Sequence, residues 1–583
     1  MSMKNKNKKS VSAFKFSTFN ATSIIAPCTL LTGFALIPLV HAQTPPDAGS
    51  VLQQIERDRV PQRVPTAPNL SSDLPPEPMK AKKGLSIDVK QFEFVGNTLL
   101  SSVKLQELVK SYIGKKLDFN QLQEAVATVS KAYSDAGWVA QVYLPKQEIN
   151  NGIIKIQIVE AVFGKLIIEG DAKRIPKSLV EQFVNKKQQS GSYLNAAEID
   201  SALLMVNEIP GALVEGGLQQ GAKQSETDFR LVIKDGPLYA GDVTVDNTGS
   251  RATGAERIAI NGYLFSPLKK GDMVMANVFH TQGSDYLRLS YTQPVGGSGL
   301  RLGVNSSLLN FQVISPELLA LAIQGESKTI GLEASYPLIR SRSRYLSLLA
   351  NVDQKDLHNT AAGVQSSDYR VQVMSVGASG YQLDSYYGGG MNTGSVILSY
   401  GKLNLGGIDS GEDNTLPRSY TKLRAALARE QTITPRVSLF ASASLQISND
   451  NLDSSEKFFL GGASGVRAYP AAEGGGATGQ LISFEARTKV RPDLMVAPFY
   501  DWGTVMVNPN NATGQVGSVA ALNSFKLMGA GVYAVYTGLN KTTLKAIWSH
   551  RTLSSPIKNA TTGFDGDGSL VTDRFWVTAS YAF

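Results

Sequence analysis

The last ten residues, Arg574 to Phe583, alternate apolar with polar or small side chains and end on an aromatic. On a strand, Phe575, Val577, Ala579, Tyr581 and Phe583 share one face, and Arg574, Thr578 and Ser580 share the other, because successive side chains point to opposite sides. That pattern satisfies a strand with lipid on one side and a wet lumen on the other. After residue 42 no apolar run approaches the ~20 residues a membrane helix needs. A chain of this kind either stays out of the membrane or crosses it as strands, which must close on one another to satisfy every backbone polar group.

From about residue 238 the sequence reads as strand after strand separated by Gly, Asn, Asp and Ser. Candidates fall near 238–247, 256–265, 272–281, 285–294, 299–310, 327–337, 344–354, 368–383, 391–401, 418–431, 435–448, 479–491, 493–507, 522–537, 540–551 and 573–583. The count is even, as antiparallel barrels in bacterial outer membranes require, and each segment reaches the roughly 9–11 residues of a spanning strand. In the better segments one face is polar: Ser483, Glu485, Arg487 and Lys489 alternate with Ile482, Phe484, Ala486 and Val490. The expectation for 236–583 is a 16-stranded antiparallel transmembrane β-barrel, with lumen lysines that solvate the pore.

The other end of the chain points to the same address. Lys4, Lys6, Lys8, Lys9 and Lys15 precede an apolar stretch from Ile24 to Val40, and Val40-His41-Ala42 offers a small-residue cleavage site. Residues 1–42 read as an export signal. Its five lysines reduce a formal net charge of +8 to +3 when removed, so the basic balance carries no argument for nucleic acid. Cys28, the one cysteine, falls in the same segment, which leaves no disulfide framework and no thiol chemistry.

Four regions lie between signal and barrel. Residues 43–60 carry a helical candidate, Val51 to Arg59, with Leu52, Ile55 and Arg57 as the residues expected to seat it as a plug. Residues 61–84 are proline-rich, which disfavours regular structure and makes an extended tether. Residues 85–160 read as strand, helix, helix, strand, strand: Ile87 to Phe94 as a strand, a turn at Val95-Gly96-Asn97, and Leu105, Leu108, Val109 and Tyr112 on one helix face. A second helix carries Phe119, Leu122, Val126, Val129 and Tyr133 and stops at Gly137, and two strands from Trp138 and Ile153 meet across Asn150-Asn151-Gly152. Residues 161–235 repeat that order.

One segment, 449–478, is too long for a turn. It holds Val466-Arg467-Ala468-Tyr469 in a glycine-rich, nearly uncharged setting, and an arginine folded inward there needs an acid partner. Phe499, Asp501 and Gly503 share the lumen face of a later strand while Tyr500 and Trp502 face lipid, so Asp501 is the expected partner of Arg467 in an inward-folding loop.

With these residues in place, the chain resembles a two-partner secretion outer-membrane transporter (TpsB) of the haemolysin secretion/activation type, within the superfamily that joins periplasmic POTRA domains to a barrel. The likeness rests on two tandem α+β units with Phe94-Val95-Gly96-Asn97 and Gly137-Trp138 in the first, on the loop motif, in which Ala468 replaces the usual glycine, on Phe499, Asp501 and Gly503, and on a closing strand ending in Tyr581 and Phe583. Alanine at 468 puts a left-handed turn after Arg467 in doubt. The resemblance implies a mixed fold, two POTRA domains followed by the barrel, and a monomer in the outer membrane of a Gram-negative bacterium with its POTRA domains in the periplasm. It implies export of a large, unfolded, β-helical partner exoprotein, whether adhesin, haemolysin, haem-acquisition protein or contact-dependent toxin. An assembly factor that inserts barrel proteins is the alternative, and a passive porin is disfavoured by about 190 residues of periplasmic modules.

No catalytic centre is expected. The sequence has no G-x-x-x-x-G-K-[ST] phosphate loop and no G-x-S-x-G elbow, and His280, His358 and His550 lack metal-ligand spacing. Asp565-Gly566-Asp567-Gly568 falls short of a calcium loop and reads as a flexible surface loop. No cofactor and no metal are implied.

Overall fold

The computed structural model describes residues 46–57, 70–72, 86–149, 151–223, 225–405, 416–471, 473–510, 523–558 and 563–583. The expected export signal, Cys28 included, and most of the proline-rich stretch lie outside them. The first element is helix α1 (Ala48–Arg57). It starts where Asp47 and Ser50 cap each other: the Asp47 carboxylate accepts from the Ser50 amide at 2.7 Å, and the Asp47 amide donates to the Ser50 hydroxyl at 3.1 Å. These bonds satisfy donors that a helix start otherwise leaves open.

A short strand, β1 (Leu70–Ser72), interrupts the stretch that composition marks as irregular. It lies in the longest proline-free run between Pro61 and Pro78, and it pairs in parallel with a strand of the second α+β unit. A tertiary partner therefore supplies what the local sequence does not.

The first unit comprises β2 (Ser86–Val89), β3 (Gln91–Val95), α2 (Ser102–Val109), β4 (Lys115–Asp118), α3 (Phe119–Asp135), β5 (Ala140–Tyr143) and β6 (Ile153–Glu160). The expected strand over 87–94 is broken at Lys90, and β4 was not expected because Lys115-Lys116-Leu117-Asp118 offers one apolar side chain; β2 and β4 pair apart from the main sheet β3-β6-β5. Helix α2 buries Leu105 and Val109 but leaves Leu108 exposed, and Tyr112 falls in a following 3-10 turn. Helix α3 opens on a capping box between Asp118 and Gln121 and buries Leu122, Ala125, Val129 and Tyr133.

The motif residues of this unit serve its own turn and core, except Gly137 and Trp138, which meet the second unit. Gly96 has φ +89°, and a Cβ there would lie 2.3 Å from the Ile158 carbonyl oxygen, so no other residue fits. Asn97 donates from Nδ2 to the Leu100 carbonyl at 2.8 Å. Gly137, at φ +83°, lies against the Asn195 side chain, and Trp138 bridges to Asn195. Phe94 packs partly buried on the core. Glu160 ends β6 and accepts from the amides of Thr98 and Leu99, each at 2.8 Å, from the Thr98 hydroxyl and from the Tyr133 hydroxyl at 2.8 Å. Burial pushes this carboxyl up, but the four donors outweigh burial and hold it below the usual range.

The second unit, β7 (Val162–Glu169), α4 (Lys177–Lys187), α5 (Ala196–Asn207), β8 (Ala212–Gln220) and β9 (Glu226–Asp235), forms a sheet of order β1-β8-β9-β7. Both helices pack their apolar faces on it.

The barrel follows as β10 (Tyr239–Asp246), β11 (Arg257–Phe265), β12 (Met273–Thr281), β13 (Ser284–Pro294), β14 (Arg301–Gln312), β15 (Gln324–Arg340), β16 (Arg344–Ala361), β17 (Val364–Asp384), β18 (Gly390–Asn404), β19 (Ser419–Thr432) and β20 (Val437–Ser448). Inside the long loop, β21 (Phe458–Phe459) and β22 (Gly475–Gly476) pair with each other. The wall resumes with β23 (Thr478–Arg491), β24 (Leu494–Met506), β25 (Ser524–Leu539), β26 (Thr542–Arg551) and β27 (Asp573–Ala582). Sixteen strands close into one antiparallel barrel, with β27 pairing β10 so that Tyr581 faces Val243. Phe583 completes the seam by exchanging backbone hydrogen bonds with Gly241 at 2.9 and 3.2 Å. Alternation holds in the closing strand: Phe575, Val577 and Tyr581 are exposed outward while Trp576 is buried inward.

Two turns at one end of the barrel dock on the second unit. Arg340 pairs with Glu208, Arg342 Nη2 lies 2.6 Å from Asp200, and the Ser266 hydroxyl donates to the Pro210 carbonyl at 2.9 Å. That fixes this unit at the mouth of the lumen.

Candidate functional site in the barrel lumen

Inside the barrel the loop from Asn449 to Ala477 folds back against the wall, and one arginine carries the contact. Arg467 Nε donates to Asp501 Oδ2 at 2.8 Å and Nη2 to Asp501 Oδ1 at 2.7 Å, a side-on bidentate pair, while its backbone amide also reaches Oδ2 at 3.1 Å. The remaining donors reach β23: Nη1 to Glu485 Oε1 at 2.9 Å and Nη2 to the Ser483 hydroxyl at 2.8 Å. The guanidinium carbon lies 3.5 Å from the centre of the Phe499 ring, in the arrangement a planar cation favours. Its carbonyl accepts from the Ser549 hydroxyl at 2.7 Å and from Trp576 Nε1 at 2.8 Å. One loop residue thus ties β23, β24, β26 and β27 together.

The neighbours of Arg467 fill the space around it. Val466 is buried and its amide donates to the Leu460 carbonyl at 2.7 Å. Tyr469 is buried, with its hydroxyl on the Leu553 and Met528 carbonyls and Arg551 stacked on its ring at 4.6 Å. Ala468 adopts no left-handed conformation, so the alanine in place of glycine carries no backbone strain. Its methyl is accommodated by the wall. Gly503 has a related reason: a Cβ there would lie 2.6 Å from Leu460 Cδ2, so the strand must be bare where the loop packs.

The helix α1 shares the lumen with this loop. Its face of Ala48, Val51, Leu52 and Ile55 recurs at helical spacing and packs among Phe279, Tyr286, Leu309, Phe311, Leu357 and Tyr369 of the wall and Leu452 of the loop. Arg57 Nη1 donates to the Phe459 and Gly461 carbonyls at 3.1 and 3.3 Å, and Glu56 lies 3.6 Å from Arg288. A Cβ on Gly49 would fall 2.3 Å from the Ser454 hydroxyl. Helix and loop are therefore in direct contact and fill the lumen as one assembly.

Sequence reasoning missed the anchor beneath that contact. Glu456, at the end of the 3-10 turn Ser454–Glu456, accepts from Lys355 Nζ at 2.7 Å and from Lys422 Nζ, all three side chains being buried. Lys355 and Lys422 lie on the lumen face, where a solvating role was expected; they are ion-pair partners of the loop instead. No local signal marked Glu456, since the same loop also carries Asp450, Asp453, Lys457 and Glu473. Asp565, expected in a flexible surface loop, is likewise buried: Arg551 Nη1 donates to it at 2.8 Å and Arg574 Nη2 at 3.3 Å.

Known proteins resemble the chain in sequence and in fold. A family model described as haemolysin secretion/activation protein ShlB/FhaC/HecB matches residues 225–531, and a ShlB-type POTRA domain model matches residues 87–161. The heme/hemopexin transporter protein HuxB of Haemophilus influenzae is 25% identical over 534 residues, 87% of this chain and 92% of that protein. The outer membrane transporter CdiB of Dickeya dadantii is 21% identical over 406 residues, 67% and 71% of the two chains. Among solved structures, CdiB from Escherichia coli superposes with a TM-score of 0.66 at 17% identity, covering 88% of this chain and 93% of that one.

Proposed function

Because the chain belongs to the haemolysin secretion/activation family of ShlB/FhaC/HecB type, a family of outer-membrane transporters of two-partner secretion, we propose that it captures a large unfolded partner protein in the periplasm and passes it through its own lumen to the cell surface. The observation that carries this reading is a lumen filled by elements outside the strand ladder of the barrel: α1 and the loop are held by ion pairs, hydrogen bonds and apolar contacts and make no strand of the wall. A barrel built only for diffusion would have no use for such a filling or for two α+β units at its mouth.

The second α+β unit serves as a second POTRA domain in this reading, and the Arg467–Asp501 pair holds the loop in its seated position. A pore of this strand number passes an extended chain or a hairpin and excludes a folded domain. The partner belongs to the class of large, repeat-built surface proteins; the chain acts as a monomer, with lipid as the only other contact of its outer wall. The test is to delete the gene, compare the proteins displayed on the cell surface, and restore it. A surface protein that disappears and returns with the gene supports the reading, and an unchanged surface refutes it.

A further inference from the structure

Beside the loop anchor lies a lysine that belongs to no ion pair. Lys545 is on β26, and Ile547 and Ser549, which share its face of the strand, are buried toward the lumen. Its side chain therefore points inward, half-buried, with Nζ 5.0 Å from the centre of the Tyr533 ring. Among the described residues no carboxylate lies within ion-pairing distance of it, whereas Lys355 and Lys422 both hold Glu456. The ring under Lys545 is shared with a second cation. Arg467 Cζ lies 5.8 Å from the same centre, and the Tyr533 hydroxyl donates to Glu485 Oε2 at 2.7 Å. The charges that face Lys545 are thus the cations Arg467 and Arg487 and the acids Glu485 and Asp501.

With the loop seated, both acids have their cation. With the loop withdrawn, they fare differently. Glu485 keeps Arg487 Nε at 2.8 Å and the Tyr533 hydroxyl. Asp501, fully buried, keeps the Ser483 hydroxyl at 2.7 Å but loses its guanidinium. A buried carboxylate stripped of its cation is strongly destabilising, so an unseated loop calls for a replacement charge at Asp501. Lys545 is the nearby cation with no acid of its own. A compact ammonium on a flexible four-carbon stem can turn from the ring toward that carboxylate.

From this we propose that Lys545 is a positioning residue for the transport cycle: it takes up the Asp501 carboxylate when Arg467 withdraws, and yields it when the loop returns. The inference rests on the transport reading, which requires the loop to leave its seat. Lys545 acts on both states. In the seated state it is a like charge beside Arg467; in the unseated state it is the opposite charge that Asp501 needs. Both effects favour unseating, and an equilibrium moves only by such a difference between its two states.

The test is a double-mutant cycle on the full-length protein in detergent micelles: wild type, Lys545→Met, Arg467→Ala and the two together. The midpoint of heat-induced unfolding, read on gels, should stay level or rise when Lys545→Met is made in the wild type. Made beside Arg467→Ala, the same substitution should lower the midpoint by several degrees. A lysine that merely packs on Tyr533 would lower both alike. In cells, Lys545→Met should reduce surface export several-fold with the barrel normally folded, and Lys545→Arg should restore it. Lys545→Gln must follow Lys545→Met, which guards against an effect of the new apolar side chain. Equal shifts in the two backgrounds, no shift in either, or normal export by Lys545→Met overturns the proposal. The midpoints need no exported protein, so they judge the role of Lys545 even where an unchanged surface on gene deletion has refuted the transport reading.

Discussion

Ala468 of the inward loop lies against Gly529 of the wall, where an added Cβ would approach the Ala468 methyl to 2.6 Å. The methyl that the loop gained is matched by the methyl that β25 lacks. Gly529→Ala should therefore unseat the loop, at the cost of about 1–3 kcal/mol expected of an overpacked core. Ala468→Gly should change stability by no more than about 1 kcal/mol. The midpoint of heat-induced unfolding, followed on gels by the shift between folded and unfolded barrel, separates the two.

Arg467→Ala removes the cation paired with the buried Asp501 carboxylate, while Glu485 keeps Arg487 as its partner. Leaving a buried charge unpaired costs roughly 3–5 kcal/mol, so the loop should detach while the wall, held by its backbone ladders, still closes. Arg467→Lys should rescue only in part, because a point charge cannot bridge Asp501 side-on and reach Glu485 and Ser483 as well. The expected readout is reduced surface export with normal heat-modifiable barrel.

Removal of Ala48–Arg57 should raise single-channel conductance in planar bilayers. Gly49→Leu should do the same with the helix still present, because its side chain would meet the Ser454 hydroxyl and the Ser455 amide. Equal conductance in all three proteins would contradict the plug.

Glu160 gives a pH dependence at the junction of the two periplasmic units. Despite burial, the Thr98, Leu99 and Tyr133 donors hold its carboxyl below the usual carboxylate range, so its contribution is complete above the ordinary carboxylate pKa and is lost as pH falls through the lower folded value. Glu160→Gln should loosen the turn at Thr98 and Leu99 by about 1–3 kcal/mol at neutral pH. Hydrogen exchange of that segment, compared between the two proteins at each pH, should differ at neutral pH and converge in acid.

The barrel was legible in the sequence because its signal is periodic and local: lipid on one side and a wet interior on the other impose alternation on every strand, as Phe575 to Phe583 display. The pairing of Arg467 with Asp501 could be anticipated since an inward arginine requires an acid and Asp501 lay on a lumen face. Three other features have no local signature. β1 exists only through its tertiary partner β8, β4 offers a single apolar side chain, and Lys355, Lys422 and Glu456 come from three separated segments whose meeting depends on the closed barrel. Gly529 and Gly503 are of the same kind: each is bare because of what packs on it from elsewhere in the chain.

Transport requires that another polypeptide thread this lumen. Thr329 and Ile330 are neighbours on β15, one buried toward the interior and the other exposed toward lipid. A photo-activated cross-linking side chain at each position, irradiated in cells during export, tests the claim most directly. Capture of the exported polypeptide is expected at Thr329 and not at Ile330; capture at neither position, or at Ile330 alone, would rule out threading.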